Sequence, residues 1–285
     1  MLAWMRDLLA ESARKGCAVG AFNFSTLESG RAAIEAAEET GCPFILQHAP
    51  AHEGYVSLDM AAPIMLQMAK AAKVPVAVHL DHGTDFALCK HALELGFTSV
   101  MIDSSALPFE ENVKVAAQVV AEAKKHGADV ESELGSMPHN FNGELGDYEP
   151  EDFYTRPEEA AEYAERTGVN ALAISFGTVH GVYKATPKLS FDVIERVSAA
   201  TNGLPLVMHG GSGLSDQDYR EAITRGIRKI NYCTYGALAG GKAVVSLVNE
   251  KGDGLQFHDV AVAATKAIRA DLARVMRLFA MEGVK

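Results

Sequence analysis

Short apolar runs recur along the chain, each followed by a polar turn and then an amphipathic stretch. Eight of these runs have strand character, at 18–23, 44–47, 76–80, 99–103, 129–133, 171–175, 206–209 and 228–231. Several are apolar throughout, such as Val-Pro-Val-Ala-Val at 74–78, which is how parallel strands buried on both faces read. Helical periodicity fills most of the gaps, for example at 27–40, 86–95 and 111–126. Strands alternating with helices indicate βα units. Eight units predict a TIM (β/α)8 barrel, although an open doubly wound sheet gives a similar count.

Boundary residues agree with this division. Ser25-Thr26-Leu27-Glu28 and Ser215-Asp216-Gln217-Asp218 resemble capping boxes at helix starts. Gly16, Gly41, Gly96, Gly127, Gly168 and Gly226 each follow a helical stretch, where a left-handed C-cap favours glycine. The least regular region, 135–156, reads as a long loop after the fifth strand, and a loop of that length in a compact barrel is more often a functional lid than filler. No linker or low-complexity segment interrupts the pattern, so residues 1–285 read as a single domain with a mobile loop around 135–156. A barrel takes about 250 residues, which suits that reading.

The formal net charge of −11 argues against nucleic-acid binding through a basic face. It also requires any anionic substrate to be held by local positive features. Cys17, Cys42, Cys89 and Cys233 lack CxxC spacing, so a reduced, cytoplasmic protein is expected. No run approaches the roughly 18 apolar residues of a membrane span, and Arg6, Asp7 and Glu11 interrupt the start where a signal peptide would be apolar. Neither a membrane nor a nucleic-acid partner is expected.

The chemistry-bearing residues gather at the C-terminal ends of the predicted strands. Asn23 ends the first; Asp81 and His82 follow the third; Asp103 ends the fourth; Glu131 and Glu133 end the fifth. His180 follows the sixth, His209 ends the seventh and Asn231 ends the eighth. In a barrel these ends converge on the active-site face. His82, His180 and His209 each stand beside or just before a glycine, and three neutral imidazoles with an open fourth position form a catalytic zinc arrangement. The other histidines read as core or surface residues, with His48 and His139 open between substrate contact and a solvated loop; alternation sets His79 on the opposite strand face from His82, in a supporting role. Glycine-rich turns after strands six and seven, carrying Gly181, Lys184, Gly210, Gly211 and Ser212, suit an anion such as phosphate, as do Asn231 and Thr234 after strand eight. Asp81 suits proton transfer, or alternatively a helix N-cap or support for a histidine. Asp103 and Glu133 stand open between supports of the histidines and ligands of a second cation.

Taken together, Val-His-Leu-Asp-His-Gly (78–83), Val-Glu-Ser-Glu-Leu-Gly (130–135), Gly-Thr-Val-His-Gly-Val-Tyr-Lys (177–184), His-Gly-Gly-Ser-Gly (209–213) and Lys-Ile-Asn (229–231) resemble class II fructose-bisphosphate and tagatose-bisphosphate aldolases. The resemblance runs in order from about Ala21 to Arg269. It implies one catalytic Zn2+ per subunit on His82, His180 and His209, with Asp81 moving the proton of the aldehyde oxygen. It implies that Asn23, Gly181, Lys184, Gly210, Gly211, Ser212, Asn231 and Thr234 bind the substrate, chiefly its dihydroxyacetone phosphate half. Glu133 matches a glutamate near the metal and Asp103 an acid near a second, non-catalytic cation; a monovalent cation near the phosphate is a further expectation. The expected reaction is cleavage of a phosphorylated ketose in carbohydrate metabolism, by a homodimer or homotetramer. Three departures stand out. The loop at 135–144 lacks the usual paired glycines, and Glu144 is taken as the carbon base; Cys233 replaces an aspartate usual in fructose enzymes, where tagatose enzymes carry a small residue; and Gln47-His48-Ala49-Pro50 lacks the usual serine-rich or glycine-rich look. The ketose therefore stays open between fructose, tagatose and another sugar. A metal-dependent hydrolase on the same barrel, or a non-catalytic partner subunit, are the alternatives.

Overall fold

A computed structural model of the protein describes residues 1–135, 153–183 and 186–283. Eight parallel strands close into a barrel in sequence order. They are β1 (Val19–Asn23), β2 (Phe44–His48), β3 (Val76–Gly83), β4 (Ser99–Ile102), β5 (Asp129–Leu134), β6 (Ala171–Ile174), β7 (Leu206–Met208) and β8 (Ile227–Tyr232). Helix α1 (Met5–Lys15) precedes them, and α2 (Leu27–Thr40), α3 (Leu58–Ala71), α4 (Phe86–Glu94), α5 (Phe109–His126), α6 (Pro157–Thr167), α7 (Phe191–Ala200) and α8 (Asp216–Arg225) connect them. Two further helices, α9 (Thr234–Lys251) and α10 (Phe257–Phe279), follow β8. The fold is therefore the TIM barrel that eight apolar runs predict, and the closed sheet excludes the doubly wound alternative.

Strand residues alternate between two environments. Even-numbered side chains such as Phe44, Leu46, Val76, Val78, Val100, Leu172, Ile174 and Ile230 face outward into the main core beneath the helices. Odd-numbered ones face the barrel axis. At the N-terminal end the axis is filled by Val19, Ala21, Ile45, Ala77, Ala171, Ala173 and Val207, and α1 closes that end by packing Met5, Leu8 and Leu9 against them. Toward the C-terminal end the inward positions turn polar: His79, Glu131 and Lys229, then Gln47, Asp81, Glu133 and Asn231. This change along the axis sets the site at one mouth of the barrel.

Local boundaries differ from expectation in two places. The first capping box is one residue later, Thr26 with Ser29, because Thr26 is the last extended residue before α2. The box at Ser215 and Asp218 forms as expected. Strand β3 continues three residues beyond Leu80, so Asp81 and His82 lie within it. Its pairing with β4 shifts register between Leu80 and Gly83, and His82 adopts φ +47. Residues 136–152 of the expected loop, with Glu144, and residues 184–185, with Lys184, lie outside the described residues.

Candidate active site at the C-terminal mouth

Asp81 is the buried centre of the mouth. Gln47 donates Nε2 to its Oδ2 at 3.0 Å, and Asn231 donates Nδ2 to its Oδ1 at 3.0 Å. The same Gln47 amide donates to Asn23 Oδ1 at 3.1 Å, so β2 and β8 reach the acid on β3 directly and β1 braces it through Gln47. Burial opposes the charge of Asp81, but positive charge at His82, Lys229 and His209 outweighs it and holds the carboxyl at about 2. Asp81 is thus an ionised acceptor at neutral pH, with an orientation set by two amide donors.

His82 follows immediately. Strict alternation would turn an even-numbered side chain outward; the register shift and positive φ instead bring its ring to 4.6 Å (centroid to centroid) from His209 and 5.2 Å from His180. A positive φ at a non-glycine residue is a sparsely populated conformation that persists when its surroundings enforce it. His82 Nδ1 donates to Asp103 Oδ2 at 2.8 Å, and Ser105 donates its hydroxyl to Asp103 Oδ1 at 2.8 Å. Burial would raise the Asp103 carboxyl, but these hydrogen bonds and the His82 charge hold it well below the usual carboxylate range. The bond to Asp103 leaves Nε2 of His82 for a cation.

His209 lies one residue past β7 and is fully buried. Its Nε2 donates to Glu131 Oε1 at 2.9 Å. Its Nδ1 stands 3.2 Å from Glu133 Oε2, and both atoms are buried without a hydrogen bond. A carboxylate on each side calls for positive charge at this ring, supplied by a second ring proton or by a cation on Nδ1. Among the described residues, ligand atoms of His82, His180 and His209 lie within 4.8 Å of one another, and so do those of His82, Asp103 and Glu133. Three imidazoles converging on one point, two of them backed by carboxylates, fit a divalent cation such as zinc.

The glycine-rich turns lie alongside. A Cβ on Gly210, at φ +64, would meet the Val179 carbonyl oxygen at 2.4 Å, and one on Gly211 would meet the Asn231 carbonyl oxygen at 2.9 Å. The turns after β6 and β7 therefore touch backbone to backbone, and the second also touches the end of β8, which only glycine permits there. Ser212 Oγ accepts from the Cys233 amide at 3.1 Å, at the residue capping α9, whose first residue is Thr234. Gly181 has φ +95, and among the described residues nothing stands within 4 Å of where a side chain would lie.

Sequence reasoning passed over three contributors. Tyr183 accepts from the Val179 amide at 3.2 Å and donates to the Gly210 carbonyl at 2.8 Å, tying two turns together; its only signal is its place in the turn before Lys184. Gln47, noted only in a stretch without the usual serine-rich or glycine-rich look, holds Asp81. Lys229 lies fully buried 2.7 Å from Glu131, and no strand pattern announces an inward lysine. His79 also faces the axis, near Glu131, because the register shift beyond it lets His79 and His82 share the interior.

Comparison with known proteins agrees with this arrangement. The profile of the family described as fructose-bisphosphate aldolase class-II matches residues 3–284. The fructose-bisphosphate aldolase of Staphylococcus epidermidis is 38% identical over 283 residues, covering 98% of this chain and 97% of the relative. That of Staphylococcus aureus is 41% identical over 253 residues, covering 87% and 86%. The crystal structure of the YdjI aldolase from Escherichia coli K12 superposes with a TM-score of 0.86 at 35% identity, covering 99% of each chain. With a closed barrel, an acid and three histidines at its mouth and a family match along nearly its whole length, the chain belongs to the class II fructose-bisphosphate aldolases, which are carbon–carbon lyases.

Proposed function

We propose that the protein catalyses zinc-dependent, reversible aldol cleavage of a ketose bisphosphate, fructose 1,6-bisphosphate or tagatose 1,6-bisphosphate, to dihydroxyacetone phosphate and glyceraldehyde 3-phosphate. The observation that carries this reading is the convergence of His82, His180 and His209 beside an ionised Asp81. Zinc, when bound to the three histidines, supplies Lewis-acid polarisation of the substrate ketone. Asp81 accepts the proton of the hydroxyl on the carbon that becomes the aldehyde, while the adjacent carbon–carbon bond breaks toward the dihydroxyacetone phosphate half. Glu144 is proposed to return a proton to the carbon of the dihydroxyacetone phosphate half that the broken bond leaves with the electron pair; condensation runs these steps backward. Asn23, Gly181, Lys184, Gly210, Gly211, Ser212, Asn231 and Thr234 are proposed to bind substrate, with a monovalent cation near the phosphate. Open space at Gly181 among the described residues and the helix start at Thr234 support an anion there.

The test is a cleavage screen of ketose mono- and bisphosphates with and without a chelator. Loss of cleavage on chelation and recovery with zinc are expected. Full activity in the metal-free protein, with borohydride trapping of substrate, would replace this reading with a lysine Schiff-base mechanism. The fructose and tagatose arms of the screen also weigh Cys233, whose thiol burial pushes up to about 11, so that it offers no charge at neutral pH.

A homodimer or homotetramer is proposed. Tyr235, Leu238, Val245 and Val248 on α9 and Phe257 and Val262 on α10 are exposed apolar residues that support it. A cytoplasmic location is proposed from four free cysteines. No helix among the described residues is long and apolar enough to cross a membrane.

A further inference from the structure

We infer that Lys229 is a positioning residue for the metal centre, holding Glu131 so that the His209 ring presents Nδ1 to the cation. This rests on the zinc reading above. Lys229, Glu131, His79 and His209 are all fully buried. Lysine is almost never fully buried without a partner. A buried ion pair is also poor filling: replacing such pairs with well-packed apolar groups is often neutral or stabilising. Barrel interiors are usually filled by branched apolar residues. Here Ala21, Ala77, Ala171 and Ala173 lie below, and small residues leave room for a charged layer in the middle of the axis.

Glu131 divides its oxygens. Oε1 accepts from His209 Nε2 at 2.9 Å. Oε2 lies 2.7 Å from Lys229 Nζ and 3.6 Å from His79 Nε2. His79 is itself fixed, with Nδ1 2.9 Å from Ser99 Oγ. The ammonium therefore pins one oxygen and leaves the other at a set place under the imidazole. A carboxylate paired with an ammonium accepts, so His209 donates Nε2–H and keeps Nδ1, on the side of Glu133, for the cation. Without Lys229, the buried carboxylate would lose its ammonium partner and be held from one side only, by His209.

The experiment measures zinc affinity of the full chain by chelator competition, together with the visible absorption of the cobalt-substituted protein. Supporting groups behind metal-binding histidines are typically worth about 10- to 100-fold in metal affinity. Lys229→Met is expected to weaken zinc by that order and to alter the cobalt bands. Lys229→Met combined with Glu131→Gln, which leaves no unpaired charge, is expected to regain part of the affinity. Arg6→Met serves as the comparison: it breaks the 2.7 Å ion pair to Asp129 at the opposite end of the barrel, and should lower thermal stability while zinc affinity and cobalt spectrum stay put. A folded Lys229→Met protein with wild-type zinc affinity and spectrum overturns the inference. If Lys229→Met does not fold, Glu131→Gln carries the test, with at least a 10-fold loss expected on the same basis and wild-type affinity overturning it. A wild-type protein that binds no zinc overturns the zinc reading instead, so the two failures are distinct.

Discussion

Asp81 shows how much a single side chain depends on its holders. General acid–base help is typically worth about 10²–10⁴-fold, so Asp81→Asn should lose cleavage by that order while retaining zinc. Proton exchange at the carbon of dihydroxyacetone phosphate should fall far less, because another group is assigned to it. Loss of zinc with equal loss of both activities would make Asp81 a support for His82 instead. Gln47→Leu removes one of the two amides on Asp81. A hydrogen bond to a charged group contributes about 1.5–3 kcal/mol, so turnover should drop roughly 10- to 150-fold with zinc content unchanged; wild-type turnover would relegate Gln47 to filling. His79 is pushed down to about 3 from 6.5 by burial and then by Lys229. Between those values the unfolded chain binds more protons than the folded one, so this group removes stability as pH falls through the window and none above it. Thermal midpoints of wild type and His79→Gln should therefore differ in pH slope between about 4 and 6.5 and run parallel above 7. The reactive side chains were legible as acids and histidines at strand ends. Their holders were not, because Gln47 and Lys229 acquire meaning only through partners on other strands.

At the scale of elements, the eight strands were legible because each is an apolar run with its own turn signals. The bend in β3 was not. His82 reaches the site through φ +47 and a register shift, and nothing in Leu-Asp-His-Gly distinguishes a kinked strand from one that has simply ended. The three histidines thus arrive by different routes: one through a kinked strand, one on a turn, one just past a strand end. Helix α1 was likewise unassigned, since the pattern of βα units begins after it. Leu9 of α1 is fully buried against the small residues on the barrel axis. Leu9→Ala should cost about 2–5 kcal/mol, measurable by denaturant unfolding, with zinc affinity unchanged. A loss below about 0.5 kcal/mol would mean that the helix adds little to the barrel it closes.

For the whole molecule, the net charge of −11 and the anionic substrate proposed above would be reconciled locally, by the proposed cation and by amides and turns at one mouth. Assembly is the other large-scale expectation. Sedimentation of the wild type should give a dimer or tetramer, and Val245→Asp with Val248→Asp should dissociate it while zinc stays bound; a wild type that sediments as a monomer sinks the proposal. The inward and outward strand positions described above also act as a reading frame. Removing one residue within β5 or β8 would put Val130 or Ser132 in place of Glu131, or Arg228 or Ile230 in place of Lys229, and push a charge beneath the helices. Removing one residue from a connection at the closed end leaves every strand in phase. Length variation in descendants of this sequence should accordingly accumulate between the strands, while the strands themselves change by substitution alone.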